Sequence, residues 1–310
     1  MKKLLLLSVL ITNYIFVNAQ QDAQYSHNMF NHVATNPGAA GCKNKASFVA
    51  IRRDQWIGFD GTPSTTVASI DIPFNKLSSG FGLTLNDDRL GFDNNFQLKL
   101  AYAYRKPFWG GELGIGMELG FYNKSLEVSK WKTPDGRTPT LDDAIPFKSD
   151  RGMALELGFG LFYSRSDLYI GISSSHLHAP DINFENDPPQ LKRHYFLTAG
   201  YNIQLPFPLF ELQPSIFVKT DASSTQFSIN ANVLYNKKIW GGVSYRNMDA
   251  LIVLIGFELY YGIKFGVAYD IGLTKLSSKI QEGSYEILLN YEFTLDFGKK
   301  YQKYKSVRFL

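Results

Sequence analysis

The sequence predicts an all-β protein, a transmembrane antiparallel β-barrel of about 14 strands, and three features of the chain support this prediction. Apolar and polar residues alternate in segments along most of the chain. The connections between these segments alternate between long and short. No apolar run after the N-terminus is long enough for a membrane-spanning helix. On composition alone, the competing fold class is a secreted β-sandwich or propeller.

The clearest alternating segment is the last one, residues 285–297. Every second residue from Tyr285 to Phe297 is apolar or aromatic, and the residues between them are nearly all polar. Successive side chains of a strand point to opposite faces, so one face of this strand is apolar and the other is acidic. The segment is long for a globular strand but suits a tilted strand that crosses a bilayer.

The same alternation predicts fourteen strands. Charges at strand centres, such as Lys99, Glu118 and Glu286, all have the parity opposite to the apolar residues. A charge that faces lipid near the midplane costs about 2–4 kcal/mol, so this parity marks the barrel interior. Because no sheet edge can stay unpaired in hydrocarbon, the first strand must pair with the last. The predicted strands are 45–56, 63–73, 79–87, 94–106, 111–124, 151–164, 167–175, 192–204, 211–220, 225–236, 239–246, 250–261, 263–274 and 284–297.

The connections between strands differ by parity. Those after strands one, three, five, seven and thirteen can be long, as in 125–150 and 176–191, whereas those after even-numbered strands have only a few residues. In outer-membrane barrels the short turns face the periplasm and the long loops face the outside. We therefore expect both chain ends on the periplasmic side.

Residues 1–19 have the features of a secretory signal peptide. Lys2 and Lys3 precede an apolar run, and small residues before the expected cleavage point place cleavage after Ala19. Without these two lysines, 30 basic residues remain against 28 acidic residues, which is no charge excess for nucleic acid. The single cysteine, Cys42, excludes an internal disulfide framework.

Residues 20–43 do not alternate and contain the turn-forming residues Asn36-Pro37-Gly38. We expect an N-terminal plug-like segment here, with one short helix near His27–His32, in or under the periplasmic mouth. A flexible tail fits the composition equally well. Inward glycines could seat such a segment or could relieve sheet curvature. The predicted division is a signal peptide (1–19), a periplasmic plug-like segment (20–43), the barrel (44–298) and a periplasmic C-terminal tail (299–310).

The histidines of the second long loop are the candidates for metal binding or catalysis. His176 and His178, with Asp181, could form a metal cluster or supply a hydrolytic base. A nucleophilic site also needs a hydroxyl or water held against a base and an orienting group. The serines 173–175 lie nearby, but no spacing signature joins them to a base. We therefore predict no enzymatic activity, no cofactor and no resident metal.

Six stretches along the mature chain carry a family resemblance. They are QYSHNMFNHVATNPGAAG at 24–41, RRDQWIGFDGTPST at 52–65, ISSSHL at 172–177, HYFLTAGY at 194–201, IWGGVSYRNMDA at 239–250 and YDIGLTKLSSKIQEGSYEILLNYEF at 269–293. In this order they resemble the PorP/SprF family, outer-membrane proteins of the type IX secretion system of Bacteroidetes. The last five residues, 306–310, are similar to the usual ending of that family.

The resemblance implies a non-enzymatic barrel embedded in outer-membrane lipid. Its implied partners are a secreted adhesin-like protein with a type B C-terminal sorting domain, as in gliding motility, and a periplasmic peptidoglycan-binding lipoprotein with the ring complex of the secretion system. The alternative is a transport channel resembling long-chain fatty acid channels or porins, although the inward charges interrupt a continuous apolar path. The candidate partner-contact residues are Trp131, Phe147 and Phe184 in the long loops and Tyr301, Tyr304 and Phe309 in the tail.

Overall fold

The computed structural model describes residues 22–57, 61–127, 149–184, 189–273 and 283–295. These residues form a closed barrel of fourteen antiparallel strands, which confirms the predicted fold class. The strands are β1 (Ala46–Asp54), β2 (Ser64–Phe74), β3 (Ser79–Leu90), β4 (Asp93–Phe108), β5 (Gly111–Leu126), β6 (Asp150–Ser164), β7 (Leu168–Ser175), β8 (His194–Tyr201), β9 (Phe210–Thr220), β10 (Thr225–Tyr235), β11 (Ile239–Arg246), β12 (Ala250–Glu258), β13 (Ile263–Gly272) and β14 (Ser284–Phe293).

Each strand pairs with its neighbours in sequence, and β14 closes the barrel against β1. The closing register runs from Ala46 opposite Phe293 to Asp54 opposite Tyr285. A two-residue strand, Ile203–Gln204, pairs with β9 as a continuation of β8. Closure gives every strand a paired neighbour on both sides, as a sheet in hydrocarbon requires.

Strand ends differ from prediction where the neighbouring strand stops. The last strand ends at Phe293 rather than at residue 297, because its partner β1 begins at Ala46, directly opposite Phe293. Strand β12 ends at Glu258 rather than at residue 261, since Tyr260–Gly262 form a tight turn in which Tyr261 has a φ of 67°. The alternation of apolar and polar residues extends past these strand ends, whereas the pairing with the neighbouring strand stops there.

The two faces of the barrel divide as the parity predicts. On β14, Leu289 is 41% exposed whereas Asn290 is fully buried. The outward face carries large apolar side chains from nearly every strand, which suits contact with lipid. The inward charges Lys99, Glu118, Glu156, Asp270 and Glu286 are all buried. In the part of the chain that the structure describes, no helix has the length and apolar character needed to span a membrane.

The two rims differ in their connections. The rim where β1 begins and β14 ends has turns such as 109–110 and 165–167, and we call it the short-turn rim. The opposite rim carries the three longest connections, at 127–149, 176–193 and 273–283, and we call it the long-loop rim. All three of these connections follow odd-numbered strands, as predicted.

Residues 22–45 form the N-terminal segment, which lies inside the barrel except for the exposed Asn44 and Lys45. In place of the one short helix expected there, the segment has three 3-10 turns: Asn28–Phe30, His32–Ala34 and Pro37–Ala39. Asp22 contacts Ser175 at the long-loop end of β7, and the Gly41 N–H donates to Asp71 near the short-turn end of β2. The segment therefore runs through the lumen from one rim to the other.

The lipid-facing parity can be tested at the middle of β14. Leu289→Arg places a charge against hydrocarbon and should cost about 2–4 kcal/mol of barrel stability. We expect loss of the folded band in heat-modifiable gel mobility. The matched control is Leu77→Arg, because Leu77 is 68% exposed in the turn between β2 and β3, outside the strands. Equal folding of both variants would show that Leu289 does not face lipid. Asn290 cannot serve as the control, since its side chain is fully buried against the filled lumen.

Candidate functional site

The N-terminal segment is anchored by a buried ion network, which we define as Ser26, His27, Arg53, Arg246, Asp270 and Glu286. Four strands supply the charges: β1, β11, β13 and β14. Arg53 lies 2.8 Å from Asp270 and 3.8 Å from Glu286, and Arg246 lies 3.0 Å from Asp270. Two guanidinium groups therefore face two carboxylates inside the barrel.

Ser26 joins both arginines to Asp270. Its hydroxyl donates to Asp270 Oδ1 at 3.0 Å and accepts from Arg53 Nη1 at 2.8 Å and Arg246 Nη2 at 2.9 Å. One donor and two acceptor sites are all that a serine hydroxyl offers. The network is thus complete only when the N-terminal segment occupies the lumen.

Glu286 holds the segment through its backbone. Its carboxylate accepts from the Ser26 N–H at 2.6 Å and from the His27 N–H at 2.8 Å, and it lies 2.7 Å from His27 Nδ1. Removing a charged ion from water costs several kcal/mol unless the protein replaces its hydrogen bonds. The segment supplies the hydrogen bonds that this buried carboxylate needs.

A glycine seat receives the second half of the segment. A Cβ on Gly116 would lie 2.3 Å from the Pro37 carbonyl carbon, and one on Gly114 would lie 2.1 Å from the Gly38 oxygen. A Cβ on Gly160 would lie 2.1 Å from the Asn36 side chain. Contacts this short cannot form, so these three glycines admit the segment. Of the two explanations for the inward glycines, seating the segment is correct at these positions.

Asn36 fixes the segment in the glycine seat. Its Nδ2 donates to the carbonyls of Leu161 at 3.0 Å and Ile172 at 3.3 Å, and its Oδ1 accepts from the Gly38 N–H at 2.8 Å. Lys99 on β4 adds a hydrogen bond to the Ala34 carbonyl at 2.8 Å. Wall residues from several strands therefore bind the segment along its length.

A second group of charges lies at the long-loop rim, and we call Asp22, Glu156, His176 and His194 the mouth cluster. Asp22 Oδ1 lies 3.2 Å from His176 Nε2, and the Asp22 N–H donates to His194 Nε2 at 3.3 Å. His176 Nδ1 lies 3.5 Å from Glu156 Oε1. Burial opposes ionisation of Asp22, but the neighbouring imidazoles of His194 and His176 outweigh it and hold the pKa of the Asp22 carboxyl well below its usual value.

The histidines do not assemble as the sequence suggests. His178 and Asp181 are exposed on the loop, while His176 turns inward to Asp22 and Glu156. The candidate grouping of His176, His178 and Asp181, which the sequence analysis set aside, does not form, because the chain leaves the barrel wall directly after His176. Ser173 and Ser175 donate to the Thr35 carbonyl at 2.6 Å and to Asp22 Oδ2 at 3.3 Å, so both hydroxyls hold the N-terminal segment.

Among the predicted partner-contact residues, Phe184 lies in the described part of the chain. It is half-buried at the long-loop rim and packs against a cluster of Tyr122, Ala154, Ile182 and Leu191. The loop that carries it therefore folds onto the inside of its own barrel. The other five, Trp131, Phe147, Tyr301, Tyr304 and Phe309, lie outside the described residues, as does the expected cleavage position at Ala19.

Sequence reasoning missed Asp22, Ser26, Arg53 and Arg246 as lumenal residues. Alternation identifies a parity but does not show which inward side chains meet across the barrel. A signal was nevertheless present in the stretches that carry the family resemblance. Those stretches contain Ser26, His27, Arg53, His176, His194, Arg246, Asp270 and Glu286.

A closed fourteen-stranded barrel with an apolar outer face and an ion-paired interior defines a bacterial outer-membrane protein. The family model described as type IX secretion system membrane protein PorP/SprF matches residues 17–291. The chain belongs to this family, which confirms the resemblance found in the sequence. It is a multi-pass protein of the bacterial outer membrane.

Solved structures of other outer-membrane barrels are similar to this one. Outer membrane protein Omp33 of Acinetobacter baumannii has 8% identity and a TM-score of 0.43, over 81% of this chain and 99% of that one. A Pseudomonas aeruginosa FadL homologue has 9% identity and a TM-score of 0.44, over 80% and 89%. The KdgM porin has 10% identity and a TM-score of 0.34, over 80% and 99%. No curated protein sequence matches the chain.

The role of Ser26 can be tested by removing its hydroxyl. Ser26→Ala leaves two buried guanidinium N–H groups and one carboxylate oxygen without this partner, and we expect a loss of about 2–4 kcal/mol in the free energy of unfolding. The measurement is thermal or denaturant unfolding of the purified barrel in detergent.

The matched control is Ser244→Ala on β11. Ser244 is buried to the same degree, and its hydroxyl has no hydrogen-bond partner among the described residues. We expect a much smaller change there. If the two alanine variants were equally stable, Ser26 would not anchor the segment.

Proposed function

We propose that this protein is a non-enzymatic docking barrel of the type IX secretion system. Its long-loop rim would bind a partner protein with a type B C-terminal sorting domain, of the adhesin or gliding-motility type, and retain it at the surface or aid its export. Its short-turn rim would dock to the periplasmic secretion machinery. The observation that carries this proposal is the lumen, which the N-terminal segment fills from rim to rim.

Because the N-terminal segment fills the lumen, we place partner binding at the rims. The segment is bound by the ion network at one level and by the glycine seat at another. A polypeptide in transit would have to break both sets of contacts. Two cavities beside the segment measure about 90 Å³ and about 180 Å³, far less than a folded domain needs. Partner proteins would therefore bind outside the barrel.

The long-loop rim is the proposed surface for the secreted partner. Its loops 125–150 and 176–191 combine aromatic, proline and charged residues, a composition typical of protein contacts. Trp131 and Phe147 are the proposed contacts in the first loop. Phe184, in the second, packs partly against the barrel and would offer its remaining exposed surface.

The periplasmic docking surface is proposed for the C-terminal residues 299–310. This stretch is basic and contains Tyr301, Tyr304 and Phe309. The proposed partners are a peptidoglycan-binding lipoprotein and the ring complex to which it is linked. The N-terminal segment lies in the lumen over residues 22–43 and offers little surface there for docking.

The alternative function is a transport channel. The cavity of about 180 Å³ favours it, because Met29, Phe30, Tyr169 and Tyr201 give this space a partly apolar lining. The buried ions of the network lie elsewhere along the segment and interrupt an apolar path. Conductance distinguishes the two functions, since a docking barrel stays closed and a channel does not.

Closure by the segment can be tested with Gly116→Ala. The new Cβ would lie 2.3–2.4 Å from Pro37 and Gly38 backbone atoms, so the segment must shift. We expect wild-type protein to show little ion conductance in planar lipid bilayers and Gly116→Ala to conduct more. In the control, Gly241→Ala, the nearest atom to the new Cβ is 3.8 Å away, and no change is expected. A wild-type barrel that is already open would support the channel instead.

The two proposed docking surfaces can be separated by deletion. Removing residues 301–310 should leave a heat-modifiable, folded barrel but reduce co-purification of the periplasmic complex after mild crosslinking. Replacing residues 130–146 with a short Gly-Ser linker should instead reduce surface retention of the secreted partner. Each deletion is the control for the other. Normal capture and normal retention in both deletions would contradict the docking proposal.

A further inference from the structure

We propose that Asp22, His176 and His194 form a binding site for a divalent transition-metal ion of the zinc class at the long-loop rim. The three residues supply one carboxylate oxygen and two imidazole nitrogens. This donor set suits zinc and its neighbours, with one or more positions left for water. The site is separate from secretion and docking, and it would fasten the start of the N-terminal segment to the barrel wall.

The geometry needs only small adjustments. The three ligand atoms lie within 4.8 Å of one another, and Asp22 Oδ1 is 3.2 Å from His176 Nε2. Tetrahedral zinc with bonds of about 2.0–2.2 Å places its ligand atoms about 3.4 Å apart. His194 Nε2 accepts a long hydrogen bond, 3.3 Å, from the Asp22 N–H, and a metal ion would replace it.

Each imidazole already presents the correct nitrogen. His194 Nδ1 lies 2.9 Å from the Lys192 carbonyl, and His176 Nδ1 lies 3.5 Å from Glu156 Oε1. The carbonyl hydrogen-bonded to His194 Nδ1 places the proton there and leaves the Nε2 lone pair for a metal, as is usual for metal-binding histidines. Glu156 is the nearby acceptor that could do the same for His176. In both residues Nε2 is the atom that faces Asp22.

Glu156 supports the metal site independently of the geometry of the three ligands. Its side chain is fully buried, and neither carboxylate oxygen has a hydrogen-bond partner among the described residues. A buried carboxylate without a hydrogen bond is costly. A metal ion on His176 Nε2 would fix the proton on Nδ1 and make that N–H a stronger donor toward Glu156. The pairing of carboxylate, histidine and metal would thus satisfy a group that the protein side chains leave unsatisfied.

The site is accessible from the long-loop rim. A cavity of about 90 Å³ borders all three ligands and is also lined by Asp88 and Asp93. It is large enough for water ligands to the metal. Lys219 approaches Asp22 at the backbone carbonyl, 2.6 Å away, rather than at the carboxylate. The carboxylate accepts from Ser175 at Oδ2 over 3.3 Å and from Gln97 at Oδ1 over 3.5 Å, and both oxygens keep further lone pairs for the ion.

The test uses the full mature protein purified in detergent and stripped with a chelator. Titration with ZnCl₂ by calorimetry, together with metal analysis after gel filtration, should give about one Zn²⁺ per barrel. Asp22→Asn and His194→Ala should each weaken Zn²⁺ binding at least ~10-fold. His178→Ala is the matched control, because His178 is an exposed histidine of the same loop. It should bind Zn²⁺ like the wild type.

Glu156→Gln tests the supporting contact and should weaken binding by about 10–100-fold. Heat-modifiable mobility shows whether each variant is folded. Absence of Zn²⁺ binding by the wild type, or unchanged binding in the folded Asp22 and His194 variants, would overturn the site. If a variant does not fold, Co²⁺-loaded wild type decides: visible bands of Co²⁺ with imidazole ligands support the site, and an aqueous Co²⁺ spectrum refutes it.

Discussion

The structure depends on one constraint: a group that is charged or can form hydrogen bonds must find its partner inside the protein where it crosses a membrane. Closure of β14 against β1 meets this constraint for the backbone. The inward parity of the strand charges removes them from lipid but leaves them in a crowded interior. Glu286 shows the consequence, because its hydrogen bonds come from Ser26 and His27 of the N-terminal segment.

The N-terminal segment and the barrel wall therefore need each other. Without the segment, Arg53, Arg246, Asp270 and Glu286 would lose the Ser26 and His27 contacts that complete their network. Without the wall, the segment has only three short 3-10 turns to hold its shape. This mutual dependence explains why the segment stays in the lumen, and it is the reason for proposing partner binding at the rims rather than in the lumen.

Much of the architecture could be predicted from local patterns. Alternation located all fourteen strands and assigned Leu289 and Asn290 to opposite faces, because the side-chain period of a strand is two residues. The strand ends were the exceptions. The alternating pattern extends the last strand through residues 294–295, but β1 has no residues opposite them, and the strand ends at Phe293. The family resemblance located the relevant stretches but not the contacts between them.

The sequence alone determined the fold class, the inward and outward faces and the family, because each of these follows from period, composition or local motif. Only the tertiary structure decided that Ser26 meets Arg53 and Arg246, that Gly116 admits Pro37, and that His176 turns to Asp22 rather than to His178. Strand tilt and register, together with the path of a segment without alternation, fix these contacts. They join residues far apart in the chain, and no local pattern records which inward side chains share one level of the lumen.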